Sequence, residues 1–253
     1  MFFTMNMNII FDNWWIAILL AIALAFGRYG FLAGIAYLFC YKPGLRSLQI
    51  FKIQKVPPKS KQLRHELLFS LSTIVVFSFI GVTILWLYNK GYTKIYLNVK
   101  DHGWPYFFLS ILLMIIIHDA YFYWTHRLLH TKWMMKHIHV VHHRSVNPTP
   151  WAAYAFHPLE ALLEGSLAFL LVTIFPVNVY AFLFLTFFVL FMNVLGHSGY
   201  EFLSPRVRSG KIGSQFTSST HHNLHHSKVH YNFGYYFMFW DKLMHTLHKD
   251  TFK

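Results

Sequence analysis

Residues 118–158 read HDAYFYWTHRLLHTKWMMKHIHVVHHRSVNPTPWAAYAFHP and hold eight of the chain's eighteen histidines. His126 and His130 stand four apart, so on a helix both imidazoles project from one face and can reach a single metal ion. His139, His142 and His143 form a second unit. His139 faces both of the others at helical spacing, while the adjacent pair diverges by about a quarter turn. A helix built this way presents ligands to two ions. The same His-x-x-His-His spacing returns as His222, His225 and His226, preceded by His221. Two copies of that pattern beside a His-x-x-x-His arise by chance, at this histidine frequency, well under about one time in a hundred. A lone core histidine satisfied by a carbonyl, or a pH-titrating surface cluster, predicts no matched triplets.

Composition sets where these boxes sit. The 253 residues are 55% hydrophobic and 12% charged, against roughly 25% charged in soluble domains, so the sequence reads as a membrane protein. Cys40 is the single cysteine, which excludes an internal disulfide and a thiolate metal site. Asp and Glu number only nine, so imidazole must hold any metal. The net charge of +13 falls in loops between apolar runs, which suits a membrane surface and argues against nucleic acid. The opening MFFTMNMNIIFDNWW has no Lys or Arg before its apolar run, so the first segment is expected to be retained rather than cleaved.

Ile9 to Phe26 is long enough to span, with Trp14 and Trp15 as interfacial anchors, and a second apolar run continues to Tyr41. Arg28 interrupts them. Either the helix ends near it, or a long tilted helix buries it against a partner; a snorkelling structural arginine is the favoured reading. Residues 42–64 form a basic linker with a Pro-Gly turn, and Leu67 to Tyr88 is a charge-free transmembrane helix. A third helix is predicted from Tyr106, continuing unbroken to His130, so that the first box rides on its emerging end. Asn147-Pro148-Thr149-Pro150 ends the helix after the second box. Leu159–Phe175 and Val177–Val194, divided by Pro176, read as a helical hairpin dipping into the bilayer.

Loops 42–64, 124–158 and 196–253 share one side and carry eighteen Lys or Arg, against three in loop 89–105. The positive-inside rule then places every histidine box in the cytoplasm. The fold expected is an all-α integral membrane bundle with a cytoplasmic, histidine-rich cap for two metal ions. Residues 1–105 supply N-terminal membrane helices and the basic linker, and 106–253 a catalytic domain that includes the hairpin. Nine or more histidines exceed one zinc site and favour two ions of higher coordination, with iron preferred and zinc able to replace it in a heterologous preparation. No box contains the His-Glu-x-x-His of zinc proteases.

These three boxes, in this order and membrane layout, resemble those of the fatty acid hydroxylase superfamily. The flanks Asp119-Ala-Tyr-Phe-Tyr-Trp-Thr-His126-Arg127, Pro148-Thr-Pro150, Ala155-Phe-His157-Pro158, Asn232-Phe-Gly234 and Trp240-Asp241 are similar to its sterol desaturase branch over about residues 106–248. The resemblance implies a non-haem di-iron oxygenase that uses O2 and two electrons to hydroxylate or desaturate a C–H bond of a sterol, fatty acyl or related lipid. It implies His126, His130, His139, His142, His143, His222, His225 and His226 as ligands, and His197 as an additional one. Asp119 and Asp241 are candidate acceptors for imidazole N–H groups. His118, His157 and His221 flank boxes without completing one and are candidate extra ligands. No flavin or dinucleotide fingerprint is visible, so electrons are expected from a separate b-type cytochrome or ferredoxin with its reductase.

The membrane is expected to be a bacterial inner membrane or the endoplasmic reticulum. Two other classes compete. A membrane b-type cytochrome would pair histidines at bilayer depth rather than in triplets beyond helix ends. A divalent-metal transporter would place acids near mid-membrane, whereas Glu160 and Glu164 lie close to a span end.

Overall fold

Four long helices and a shorter one carry the architecture. The computed structural model describes residues 13–41, 46–54 and 56–253; residues 9–12 of the first expected span and the Pro43-Gly44 turn fall outside these. Helix α1 is Trp14–Tyr41, α2 Ser60–Asn89 and α3 Gly103–Leu129. Helices α4, Pro158–Ile174, and α5, Val179–Gly196, make the hairpin. Helices α1, α2, α3 and α5 are each long and apolar enough to cross a membrane. Outward-facing Leu24, Phe31, Leu68, Phe108, Leu112 and Leu183 are exposed, as expected where lipid rather than water is the neighbour. The protein is an all-α integral membrane bundle.

Helix α1 runs unbroken through Gly27 and Gly30. Arg28 does not snorkel to an end: its Nη1 donates to Thr186 Oγ1 of α5 at 2.8 Å. The partner is sideways because Arg28 sits near the middle of a 28-residue helix, too far from either end for its side chain to reach. Helix α3 begins at Gly103, three residues before the expected start, and ends at Leu129, leaving His130 to cap it.

Two apolar clusters fix the helix order. Tyr29, Ala33, Ile74, Ala153, Ala161 and Leu190 pack α1, α2, α4 and α5 around the segment 150–154. Met114, Leu167, Leu171, Ala181 and Leu185 join α3 to both arms of the hairpin. Gly165 lets α4 approach α2 closely, since a Cβ there would collide with Ile80 Cδ1; small residues serve this purpose in membrane bundles.

The hairpin reaches the far end of the bundle. Its tip, strand β2 (Val177–Asn178), pairs in parallel with strand β1 (Ile95–Tyr96) of the loop between α2 and α3, Ile95 opposite Val177. These two-residue strands had no visible alternation in the sequence, being too short to show one. Lys94 completes the junction: its Nζ donates to Ile174 O at 2.8 Å and its backbone N–H to Val172 O at 2.7 Å, which satisfies carbonyls at the end of α4.

Between the second box and α4 the chain leaves the α-helix for a connection that holds a short 3₁₀ helix, Pro150–Tyr154, and is buried at residues 148–150 and 152–156. Backbone polar groups at that depth require partners. A polar stripe on α2 supplies several. Gln62 donates to Asn147 O at 2.7 Å, Ser70 to Trp151 O at 2.9 Å, and Glu66 accepts from Thr149 Oγ1. Gln54 donates to Pro148 O, Tyr29 to Trp151 O and Asn193 to Ala153 O. Segment 147–157 is thereby held in place under the histidines.

Candidate metal centre

The nine histidines named as ligands come from four places. His126 and His130 end α3. His139, His142 and His143 lie on the helical segment 132–143, in which Met135–His139 forms a wide π turn, a feature common at functional sites. His197 caps the C-terminus of α5. His222, His225 and His226 lie on α6, Ser219–Lys228, whose N-cap Ser218 accepts from His221 N–H.

Their side chains gather into two groups. His126, His130, His139, His143 and His225 form the first, and His142, His197, His222 and His226 the second; within each, the ring nitrogens lie within 4.8 Å of one another. Each triplet therefore splits. His139 and His143 face one group and His142 the other, while His225 separates from His222 and His226, as the helical phase of the triplets requires.

The hydrogen-bond partners decide which nitrogens are bare. His197 Nδ1 lies 2.7 Å from Asn193 O and His225 Nδ1 2.7 Å from Tyr231 O. A carbonyl only accepts, so both Nδ1 atoms carry the proton and both Nε2 atoms present lone pairs. His197 Nε2 then faces the Nε2 atoms of His222, His226 and His142 at 2.9, 3.2 and 3.3 Å. His225 Nε2 faces His143 Nε2 at 3.1 Å. His139 gives its Nδ1 to Glu160 Oε1 at 2.8 Å, and its Nε2 is buried without a partner. Both ring nitrogens of His130 are likewise buried and unpartnered. Converging lone pairs repel one another unless a cation lies among them. Two groups of five and four imidazoles fit one borderline metal ion each, of the iron or zinc kind.

Electrostatics agrees. Burial first, and then the neighbouring rings, hold His130, His139, His142, His143, His222 and His226 well below the usual histidine value. Burial pushes His197 and His225 down to about 4. All are neutral at physiological pH, the state that binds metal.

The flanking candidates take other places. Asp119 Oδ1 accepts the backbone N–H groups of Tyr236 and Phe237, not an imidazole. Asp241 accepts from His221 Nε2 at 3.0 Å, from the N–H groups of Phe233 and Gly234, and from Thr246. Burial alone would raise the Asp241 carboxyl, but these bonds outweigh it and hold it below the ordinary carboxylate value. Gly234 permits the approach, since a Cβ there would lie 2.9 Å from Asp241 Oδ2. His221 joins neither group; it is spent on Asp241. His118 packs against Tyr235 and Tyr236, and His157 caps α4 through Leu159 N–H. The two aspartates thus act one step back. They fix the 233–237 backbone, and Phe233 O lies 3.2 Å from His126 Nδ1.

Sequence reasoning missed Glu160 as a partner of the cluster. It lies 21 residues from His139, and no local spacing joins them. The available signal was an acid in an apolar membrane helix, which is costly without a role.

The Fatty acid hydroxylase family model matches residues 111–246. Lathosterol oxidase of Rattus norvegicus is 31% identical over 214 residues, spanning 83% of this chain and 70% of the relative. A Delta(7)-sterol 5(6)-desaturase of Aspergillus fumigatus is 33% identical over 202 residues, 71% of this chain and 61% of its own. Another from Gibberella zeae is 27% identical over 211 residues, 82% of this chain and 64% of its own. No solved structure matches. The matched span begins in α3 and ends beyond α6, enclosing both histidine groups, and this chain belongs to the fatty acid hydroxylase family, in its sterol desaturase branch.

Proposed function

We propose that this protein is a non-haem di-iron oxygenase that desaturates or hydroxylates a C–H bond in the ring or tail of a membrane lipid, with a sterol as the first candidate. Membership of the family makes it an oxidoreductase acting on lipids. The observation that carries the finer reading is the division of nine buried histidines into groups of five and four. When bound, two iron ions would supply the O2-dependent oxidation of an unactivated C–H bond, which no amino-acid side group can perform.

The protein's own part is ligation, orientation and exclusion of water. Glu160 and the carbonyls of Phe233, Tyr231 and Asn193 fix four ring orientations from behind, each through Nδ1. Such outer partners set the tautomer and raise the basicity of the other nitrogen. Phe122, Leu129 and Phe156 pack beside the rings together with Glu160, Glu164 and Asn193 and leave only a small space there, which keeps bulk water from the rings. Electrons would come from a separate b-type cytochrome or ferredoxin. The eighteen basic residues on the histidine side favour a cytoplasmic location for it by the positive-inside rule.

The test is comparative lipidomics of a deletion strain, complemented by the wild-type protein or His142→Ala. Accumulation of a saturated precursor that only wild type consumes supports the proposal; identical sterol and acyl profiles overturn it.

A further inference from the structure

Helix α2 supplies none of the nine ring positions, yet it meets the second box from behind. His65 Nε2 lies 2.8 Å from Val141 O, the carbonyl just before His142. A carbonyl only accepts, so His65 Nε2 carries the proton and donates. Val141 O needs that donor. In a continuing α-helix it would accept from the N–H of residue 145, but Ser145 N–H turns to His142 O at 3.2 Å and the helix ends there. Val141 is buried, and a carbonyl left bare in such a place is costly. His65 thus caps the box from another helix, its own ring restrained by packing against Phe69 at 4.7 Å between centroids.

His142 is the ring for which this matters most. Four other ligands, His126, His139, His197 and His225, have Nδ1 held by Glu160 or by a backbone carbonyl. His142 Nδ1 is buried without a partner among the described residues. Its orientation therefore comes from its backbone and from Phe156, whose ring packs against it at 5.1 Å between centroids. Helix α2 reaches both. His65 holds the peptide before His142, while Gln62 and Glu66 on the same turn hold Asn147 O and Thr149 Oγ1 in the segment that leads to Phe156. Without the His65 donor, Ser145 N–H has two competing acceptors, Val141 O and His142 O, and the last turn of the box can close either way. The two closures aim residue 142 differently.

We infer that His65 is a positioning residue of the second histidine group: by taking Val141 O it leaves Ser145 N–H to His142 O and so aims the His142 ring at His197, whose Nε2 it faces at 3.3 Å. This role rests on the metal-centre reading above and extends the centre to α2, which ends before the matched span begins at residue 111.

The experiment titrates cobalt(II) into metal-free, full-length protein in lipid nanodiscs and follows the visible ligand-field absorption, with thermal unfolding of the metal-free form beside it. His142→Ala identifies which of the two cobalt steps belongs to the second group. His65→Phe keeps an aromatic ring against Phe69 and lacks the donor, whereas His65→Gln loses the ring and carries an amide N–H at a similar reach. The second-group step should weaken about tenfold in His65→Phe, the lower end of what a partner behind a ligand contributes, and stay within about twofold of wild type in His65→Gln. The first-group step should hold in both. A packing role predicts the reverse order, so wild-type affinity in His65→Phe, or equal losses in both steps for both variants, overturns the inference. Ser78→Ala removes a buried hydroxyl bonded to Ile74 O of the same helix and should leave both steps in place; a tenfold loss there would show that any defect in α2 suffices, and would overturn the inference as well. Wild type that takes up no cobalt overturns the metal-centre reading and this role together, whereas the outcomes above strike the role of His65 alone.

Discussion

His139 Nδ1 and Glu160 Oε1 meet at 2.8 Å, with both side chains 2% exposed. The pair joins the second histidine box to the membrane hairpin and leaves His139 Nε2 bare toward the first histidine group. Replacing Glu160 by Gln keeps the size and an accepting oxygen but removes the carboxylate, while Ala removes the partner. Metal affinity of the first group should fall about 10–100-fold in Glu160→Ala, measured by competition with a calibrated chelator. Unchanged affinity in both variants would show that the pair is structural only.

The two-group arrangement predicts a graded loss. Wild type purified without chelator should contain two metal equivalents, in iron or zinc. His225→Ala removes a donor from the group of five and His142→Ala one from the group of four, so each should lose about one equivalent and all turnover. His102→Ala should keep both equivalents, because that ring only packs against Tyr96 and Tyr106 at the opposite end. Elemental analysis beside activity decides it.

For the metal-free protein, pH should act through the buried cluster histidines together: His197 and His225, held at about 4 by burial against an ordinary value of 6.5, and His130, His139, His142, His143, His222 and His226, held well below that value. Between those values the unfolded protein binds protons that the folded one refuses. Stability is therefore full above about pH 6.5 and falls as the pH drops toward 4, by on the order of 3 kcal/mol for each ring. Thermal unfolding of chelator-treated protein in detergent should show this decline, and bound metal should shift its onset to lower pH. A melting temperature that rises on acidification would contradict it.

Topology reporters after Arg64, Arg144 and Lys253 should lie on one side of the membrane and a reporter at Tyr96 on the other. On the positive-inside count, the first side is predicted to be the cytoplasmic one. A cytoplasmic Tyr96 would invert the proposed orientation.

At Gly165, a larger side chain must displace Ile80 and Phe77. Gly165→Val should destabilise the α2–α4 contact by about 1–3 kcal/mol, seen as a lower melting temperature with metal stoichiometry retained. A neutral result would mean that α4 can shift without cost.

The nine ring positions were legible because helical spacing is local: residues three and four apart share a face, and the boxes state it directly. The spans were legible because an apolar run of span length has few soluble alternatives. What escaped was non-local. Glu160 meets His139, Arg28 meets Thr186, and Asp119 holds the backbone of residues 236 and 237, none of which any spacing rule encodes. His65 lies on α2 with Nε2 2.8 Å from Val141 O, behind the second box, another contact that no spacing rule encodes. Asp241, a candidate imidazole acceptor by its place in the sequence, accepts from His221 rather than from a member of either group.

The pairing of Ile95–Tyr96 with Val177–Asn178 constrains the order of biogenesis. The end of α4 depends on Lys94 for its carbonyl partners, and Lys94 belongs to a loop made some eighty residues earlier. A nascent hairpin arriving at the far side of the bilayer meets its partner only after α2 and α3 have both been inserted. The loop between the second and third helices therefore acts as a receiver for the hairpin: a protein lacking residues 89–105 would carry every histidine of both groups yet leave the hairpin tip without its strand partner and its Lys94 donors.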